Sequence, residues 1–187
     1  MKNYIKQNID NAFIDKDLPF ATESSVGKSG AVFCEIGKVE DKIYFLKKGI
    51  VQVNLLNNNG DVRIVDFFFP NSFFCSYTSF LTSNPSDVEI IALTDFEVEW
   101  ITKENLHRSY EGSVLANKLG RIETEKLYLK KVKREKDFLT KTAEEQYLEL
   151  IKTDSPLLSH LSIDKLAKYL GIHPESLSRI RRKKIKN

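Results

Sequence analysis

Short apolar segments fill the first hundred residues of the chain, and a helical period replaces them afterwards. From Val32 to about Ile101, runs rich in β-branched and aromatic residues alternate with polar breaks, which is typical of strands. The predicted strands are Ile43–Leu46, Val51–Leu56, Val62–Phe69, Val88–Ala92 and Phe96–Ile101. Because no helical stretch separates them, the pattern predicts an antiparallel barrel or sandwich. Residues 1–25 predict one weak helix and a loop.

The breaks between these strands carry turn residues. They fall at Lys48-Gly49, at Asn57-Asn58-Asn59-Gly60-Asp61, at Pro70-Asn71 and at Asn84-Pro85. Asn59-Gly60 predicts a hairpin, because both residues tolerate a positive φ.

A long helix is predicted from about Lys103 to Lys136, where proline is absent and most faces carry charge. Its apolar residues form one narrow stripe, at steps of 4, 3, 7 and 3 residues: Leu115, Leu119, Ile122, Leu129 and Val132. So thin a stripe on so long a helix favours a seam with a second copy of the chain. The alternative is packing against the chain's own strands.

A capped helix follows. Thr142 and Glu145 fit a capping box, in which each side chain bonds the other residue's backbone N–H. The helix is predicted to run to about Lys152 and to end at Asp154-Ser155-Pro156, with three residues facing inward: Tyr147, Leu148 and Ile151. A domain boundary is predicted near residues 138–141.

The last 27 residues predict a helix-turn-helix. Ser162 is a good N-cap for a helix over Ile163–Leu170, and Gly171 can take the left-handed conformation that stops it. Pro174 suits the first position of the next helix, predicted over Pro174–Lys184. Two short helices joined by a glycine-containing turn, with the small Ala167 at their crossing, form the helix-turn-helix pattern.

The second helix of this motif carries candidate DNA contacts. Glu175 and Arg179 share a face, where an Arg can donate two bonds to guanine and a Glu can accept from a cytosine amine. The alternative is a surface ion pair between them. The predicted DNA-contacting residues are Ser162, His173, Glu175, Ser176, Ser178, Arg179, Arg182 and Lys183. Arg181, Arg182, Lys183 and Lys184 would supply phosphate contacts.

Charge distribution supports this interpretation. The chain has 187 residues and a formal charge of +3. Residues 160–187 hold eight basic and two acidic side chains, which gives +6 there and leaves −3 for the rest. A basic end on a nearly neutral body is typical of a nucleic-acid-binding tail, although a merely solvated basic terminus is common.

Other classes of site find little support. Cys34 and Cys75 lack Cys-x-x-Cys spacing and are predicted to be buried, and the three histidines do not cluster, so we expect no metal and no cofactor. No apolar run reaches the roughly 18–20 residues that cross a bilayer, and residues 1–10 do not resemble a signal peptide. A cytoplasmic protein without membrane contact is therefore expected.

Three segments resemble the Crp/Fnr family of cyclic-AMP-receptor-like transcription regulators. Leu166–Arg181 is similar to the family's reading-helix motif, Tyr44–Val53 to its roll segment around an early glycine, and Ala92–Asp95 to the strand after its ligand loop. The resemblance implies an α+β fold: an antiparallel β-roll of the cyclic-nucleotide-binding type over 1–110, a long dimerisation helix over 111–139 and a helix-turn-helix domain over 140–187. It also implies a homodimer on a pseudo-palindromic site in double-stranded DNA, with half-sites about one helical turn apart, and a contact with RNA polymerase.

Two departures from the family pattern change what is expected. Ligand-binding members carry a Phe-Gly-Glu-Leu motif and an Arg-Ser pair that hold the ribose and the cyclic phosphate. Here the corresponding positions, the candidate ligand pocket, are Phe73, Phe74, Cys75, Ser76, Ser86 and Asp87. Without the Arg a cyclic phosphate lacks its charge-assisted partner, so a ligand other than cyclic AMP, or none, is expected. The given sequence also stops at Asn187, so the family's two-stranded wing is either absent or lies beyond it.

Two further hypotheses remain. The roll could serve as a sensor or scaffold that does not bind DNA, and steeply salt-dependent binding to duplex DNA would separate the two. A barrel-shaped metal-dependent enzyme would need histidines on the strands, and residues 32–101 contain none. An enzyme is therefore not expected.

Overall fold

The computed structural model describes residues 1–13, 18–153 and 161–185, with the backbone alone at 153, 184 and 185. These residues form two compact units, each described by itself. The first, the roll unit, combines Met1–Leu55 with Asp66–Leu127, and the second, the head unit, combines Leu56–Val65 with Tyr128–Asn187. The predicted end of a helix at Asp154-Ser155-Pro156 lies outside the described residues.

Eight strands form two four-stranded sheets in the order β1-β8-β3-β6 and β2-β7-β4-β5. Neighbours run antiparallel in the pairs β1·β8, β3·β8, β3·β6, β2·β7 and β4·β7. Their bounds are β1 Glu23–Gly27, β2 Val32–Cys34, β3 Lys42–Lys48, β4 Val51–Leu56, β5 Val62–Phe68, β6 Ser72–Phe74, β7 Val88–Ala92 and β8 Phe96–Thr102. All five predicted strands are present. The short strands β1, β2 and β6 were not predicted, because three to five residues show little alternation.

Seven helices are described: α1 Lys2–Asn8, α2 Tyr77–Thr82, α3 Lys103–Gly112, α4 Val114–Thr140, α5 Ala143–Thr153, α6 Ile163–Leu170 and α7 Pro174–Ile185. Two of them correct the sequence interpretation. Helix α2 lies between strands β6 and β7, where no helix was expected, because six residues are too few to show a helical period. The predicted long helix is broken at Ser113, which is extended (φ −132°, ψ 118°). Its Oγ accepts a bond from Ala116 N at 3.2 Å and so starts a new helix.

The hairpin predicted at Asn59-Gly60 is present with a different loop geometry. Gly60 has φ +82°, whereas Asn59 does not adopt a positive φ. Asn57 shapes the loop instead, because its Oδ1 accepts bonds from the backbone N of Asn59 at 2.9 Å and of Asp61 at 2.8 Å. An asparagine that caps its own turn replaces the expected two-residue turn.

The roll unit has a core in which helices cover β3 and β8. Buried members come from α1, α2, α3, α4 and both strands, and they include Ile5, Phe45, Phe80, Ile101 and Leu106. Leu119 of α4 is itself in this core, and Leu115 and Ile122 pack against it. The first half of the apolar stripe therefore packs within the chain, as the alternative interpretation predicts.

The head unit is stabilised by a capping box at the start of α5 and by the contacts of Arg134. Thr142 and Glu145 form the predicted capping box: Thr142 N donates to Glu145 Oε2 at 2.8 Å, and Glu145 N donates to Thr142 Oγ1 at 3.2 Å. Arg134 of α4 donates to the carbonyl oxygens of Ile64 and Tyr169, at 3.4 and 3.1 Å. Its guanidinium carbon lies 3.9 Å from the centre of the Tyr169 ring. Arg134 thus ties α6 to the β4–β5 hairpin within this unit.

Candidate nucleic-acid interface and effector site

Helices α6 and α7 form the predicted helix-turn-helix, and local interactions set their ends. Ser162 Oγ accepts a bond from Lys165 N at 3.3 Å, and Gly171 stops α6 in the left-handed conformation with φ +71°. Leu166, Ala167, Leu170 and Leu177 are all buried, and Leu177 has no exposed surface. Because the inward faces of both helices are buried together, α7 is held against α6 with its outward face at the surface.

The predicted DNA-contacting side chains lie at the surface of this motif. Ser162, His173, Glu175, Arg179, Arg182 and Lys183 are exposed, and Ser176 and Ser178 are half-buried. Arg179 donates to Ser176 Oγ at 3.4 Å, and no ion pair joins it to Glu175 in the described part of the chain. The surface ion pair weighed from the sequence is therefore not formed.

Two residues of the basic run are partly engaged. Arg182 Nε donates to the carbonyl oxygen of Ser178 at 3.4 Å, which aligns its side chain along α7. Lys183 Nζ lies 3.7 Å from a carboxylate oxygen of Glu144, in an ion pair whose lysine side chain is 77% exposed. Such an exposed pair is worth little in water, so Lys183 remains able to exchange this partner for a phosphate.

The candidate ligand pocket is divided between the core and a polar pair. Phe74 is buried and stacks on Tyr44 with ring centres 5.1 Å apart, and Phe73 packs against the core of the roll unit. Ser76 and Ser86 are buried and come together, with their hydroxyl oxygens 2.7 Å apart. Ser86 Oγ also lies 2.7 Å from the carbonyl oxygen of Val88. Asp87 is exposed.

The structure adds Glu40, which sequence reasoning missed, to this neighbourhood. Glu40 is 4% exposed, and its Oε1 accepts a bond from Lys42 N at 3.1 Å. Burial raises the pKa of Glu40, and the nearby backbone amides of Lys42 and Ser76 offset part of that rise. In the sequence, a glutamate followed by Asp41 in a loop gives no sign of burial.

The two cysteines are free and near this polar group. Cys34 is buried and Cys75 half-buried. Burial, followed by the charge of Glu40, raises the pKa of the Cys75 thiol well above its usual range. Burial also raises the pKa of the Cys34 thiol, so both thiols are poor nucleophiles at neutral pH. Cys34 is buried as predicted, whereas Cys75 is only half-buried.

Two other kinds of feature are absent from the described residues. Nowhere in 1–13, 18–153 and 161–185 do three His, Cys, Asp or Glu side chains gather as a metal site would require. In the same ranges, none of the helices combines the length and apolar character needed to cross a bilayer.

Comparison with known proteins agrees with this architecture. The cyclic nucleotide-binding domain family matches residues 27–112, so this segment is similar to that family. No curated protein sequence matches the chain.

Solved structures extend the likeness to the helices. FixK2 from Bradyrhizobium japonicum has a TM-score of 0.71 at 20% identity, with 87% of this chain and 84% of that one covered. The c-di-GMP-responsive regulator CLP from Xanthomonas campestris gives 0.68 at 17%, with 87% and 86% covered. A protein from Eubacterium rectale assigned to the Crp/Fnr regulators gives 0.74 at 14%, with 97% and 87% covered. The chain therefore has the fold of the Crp/Fnr transcription regulators.

Proposed function

We propose that this protein is a sequence-specific DNA-binding transcription regulator of the Crp/Fnr type. The observation that carries the proposal is the outward face of α7. There Glu175 and Arg179 are exposed and not paired with each other, on a helix anchored by the fully buried Leu177. An exposed arginine and carboxylate near the start of such a helix are suited to base edges in the major groove.

The surrounding side chains divide by role. Arg179 would donate to guanine and Glu175 would accept from a cytosine amine. Arg182 and Lys183 would bind phosphates and supply affinity and salt dependence. The remaining members of the predicted contact set would position the motif on the backbone or along the groove: Ser162, His173, Ser176 and Ser178. The functional division we propose is a roll over 1–110, a dimerisation helix over 111–139 and a DNA reader over 140–187.

A second copy of the chain is the partner we propose for the far half of α4. Leu129 and Val132 continue the apolar stripe beyond the residues that pack in the roll core, and they are 65% and 41% exposed. Tyr128 beside them is also exposed. A homodimer formed there would present two copies of α7 and read a pseudo-palindromic duplex. A contact with RNA polymerase is part of the same proposal.

We propose an effector other than cyclic AMP, or none. The Ser76–Ser86 pair occupies the positions where ligand-binding relatives carry an acid and an arginine, and Asp87 next to it is exposed. Two neutral hydroxyls already bonded to each other offer no charge-assisted partner to a cyclic phosphate.

Selection from a random duplex library with the full chain, followed by fluorescence anisotropy at several salt concentrations, tests the DNA proposal. Arg179→Ala should lower affinity for the selected site by roughly tenfold to a hundredfold and relax the preference at one base pair. Lys183→Ala should weaken all sequences alike and reduce the slope of log K against log salt by about 0.9. Arg108→Ala, which removes one exposed charge from α3 in the roll unit, is the control.

Retention of sequence preference by Arg179→Ala would exclude the reader proposed here. If the unmodified chain shows no salt-dependent binding to any duplex, the DNA function itself is wrong. The alternative of a roll that acts as a sensor without DNA would then be favoured.

A further inference from the structure

Residues 76–86, the α2 segment, join β6 to β7 and contain helix α2. Ser76 and Ser86, which correspond to ligand-binding residues of the Crp/Fnr relatives, are its first and last residues. A segment that closes on a ligand keeps polar groups free for it, because polar groups that are buried without a partner are costly. The partners of the polar groups therefore indicate whether the α2 segment depends on a ligand.

The buried serine hydroxyls of the α2 segment bond within the chain. Ser76, Ser79 and Ser86 are 3%, 2% and 3% exposed. The hydroxyl oxygens of Ser76 and Ser86 lie 2.7 Å apart, so a hydrogen bond joins the two ends of the segment. Ser79 Oγ accepts a bond from the backbone N of Glu40 at 2.9 Å and donates to the carbonyl oxygen of Asn84 at 2.5 Å. All three hydroxyls thus have protein partners.

The segment is also attached to the rest of the roll unit. Ser86 forms two backbone bonds with the β2–β3 loop: its N donates to the carbonyl oxygen of Lys38 at 2.7 Å, and its carbonyl oxygen accepts from Gly37 N at 2.8 Å. At the end of α2, Lys103 Nζ donates to Ser83 Oγ at 2.8 Å. The segment is therefore held from the end of α2 to its last residue.

Aromatic side chains from both sheets fill the roll beside this segment. Phe33 of β2 packs against Tyr44, Phe74 and Phe96, with ring centres 5.1, 5.0 and 4.8 Å away. Phe74 also contacts Phe68, at 5.7 Å. Strands β2 and β5 belong to one sheet and β3, β6 and β8 to the other, so these rings bridge the sheets. The chain's own side chains thus occupy the space between them.

The space that remains beside this ring cluster is small. Phe33 and Tyr44 line a half-open cavity of about 190 Å³. Sites for drug-sized ligands span about 300–1,000 Å³, and a cyclic nucleotide is a ligand of that size. This cavity therefore lacks the room for a nucleotide.

We propose that the roll is closed by its own side chains and needs no small-molecule effector. The Ser76–Ser86 bond holds the α2 segment, and the rings around Phe33 fill the interior, so the chain itself makes the contacts that a ligand would supply. The regulator proposed above would then bind DNA without an effector. That consequence rests on the proposed function, whereas closure of the α2 segment does not.

Amide hydrogen exchange of the full chain, without DNA, tests the closure. One sample is purified directly, and a second is unfolded in guanidinium chloride, dialysed to remove any bound molecule and refolded. The probes are amides of α2: Phe80 N and Ser83 N donate to the carbonyl oxygens of Ser76 and Ser79 at 2.8 Å. We expect equally slow exchange in both samples. Cyclic AMP or cyclic GMP should slow it no further, because only a ligand that binds the closed segment stabilises it.

Ser86→Ala is the variant that should open the segment. It removes the hydroxyl bond between the two ends, so α2 amides should exchange roughly tenfold faster, while amides of β3 and β8 keep their rates. Ser76→Ala removes the same bond from its other end and should give the same increase, which separates loss of this bond from a defect of one variant. Ser24→Ala makes the same change at an exposed serine of β1 and should alter neither rate.

Three results would each overturn the proposal: faster α2 exchange in the refolded sample than in the directly purified one, slower exchange with either cyclic nucleotide, or unchanged exchange in both serine variants. Fluorescence anisotropy with the selected duplex separates this proposal from the DNA function. Binding by the refolded chain without additives supports the proposal, and binding that needs a cyclic nucleotide overturns it. Protected α2 amides in a chain that binds no duplex would support the closure and refute the DNA function.

Discussion

Gly49 is expected to be the glycine of the roll that least tolerates a side chain. It follows β3 with φ +103°, a backbone conformation that L-residues rarely adopt. A Cβ there would lie 2.6 Å from the carbonyl oxygen of Asp95, and 3.0 and 3.1 Å from Cβ and Cα of Phe96. The next turn is fixed by Ile50, whose N donates to Thr94 Oγ1 at 3.0 Å and whose O accepts from Leu93 N at 2.8 Å. Two of the three clashing atoms are backbone atoms, and the hydrogen bonds of Ile50 oppose any shift of that backbone.

The expected cost of Gly49→Ala has two parts. Placing a Cβ on a left-handed residue costs about 1–2 kcal/mol, and forcing a methyl group into occupied space costs about 1–3 kcal/mol. The sum is about 2–5 kcal/mol. Gly30→Ala in the same unit is the matched control, because Gly30 has φ +89° and its Cβ would meet nothing within 4 Å. The control variant should lose only the about 1–2 kcal/mol that a left-handed alanine costs. Alanine also lowers the entropy of the unfolded chain, and this stabilises both variants equally.

Urea unfolding followed by the fluorescence of Trp100, the single tryptophan, measures both variants. Trp100 is on β8, four residues after Phe96, so it reports on the sheet that the clash strains. We expect the free energy of unfolding to fall by about 1–3 kcal/mol more in Gly49→Ala than in Gly30→Ala, which lacks the steric part of the cost. Equal losses of unfolding free energy in the two variants would refute the reasoning, because they would show that Asp95 and Phe96 shift away from the new Cβ at no cost.

Two further predictions concern the head unit. Arg134→Met should speed amide hydrogen exchange in α6 and in the β4–β5 hairpin, because the hydrogen bonds to Ile64 and Tyr169 and the cation–π contact with Tyr169 are lost. Lys136→Met on the same helix should leave exchange unchanged. Equal exchange rates in the two variants would show that Arg134 does not hold α6 and the hairpin together. Hydrogen bonds from Lys133 and Lys141 lower the pKa of Asp137, so the stability this cluster contributes is present above the usual aspartate pKa and should be lost as the pH falls through the lowered value. Circular dichroism at low and high salt should show a salt-sensitive acid transition that Asp137→Asn makes smaller, because Glu149 still bonds the same two lysines.

Local signals in the sequence were enough to place the helix-turn-helix. Ser162, Gly171 and Pro174 act on their own backbone neighbours, so their roles follow from residue type and spacing. The capping box at Thr142 is equally local, and so is the alternation within the longer strands. The break at Ser113 had a signal too, a glycine and a serine in succession, but the helical period on either side concealed it.

Only the tertiary structure decided which half of the apolar stripe is buried. Leu119 and Leu129 belong to one helical pattern, yet the first lies in the roll core and the second is 65% exposed. The difference comes from what packs against each turn of α4, and periodicity within one helix carries no such information. The same holds for Glu40, whose burial depends on α2 and on strands far away in the sequence. The sequence determined the longer strands and the helix-turn-helix with its caps. Packing between distant segments determined which side chains are buried, because burial depends on neighbours that the local pattern does not name.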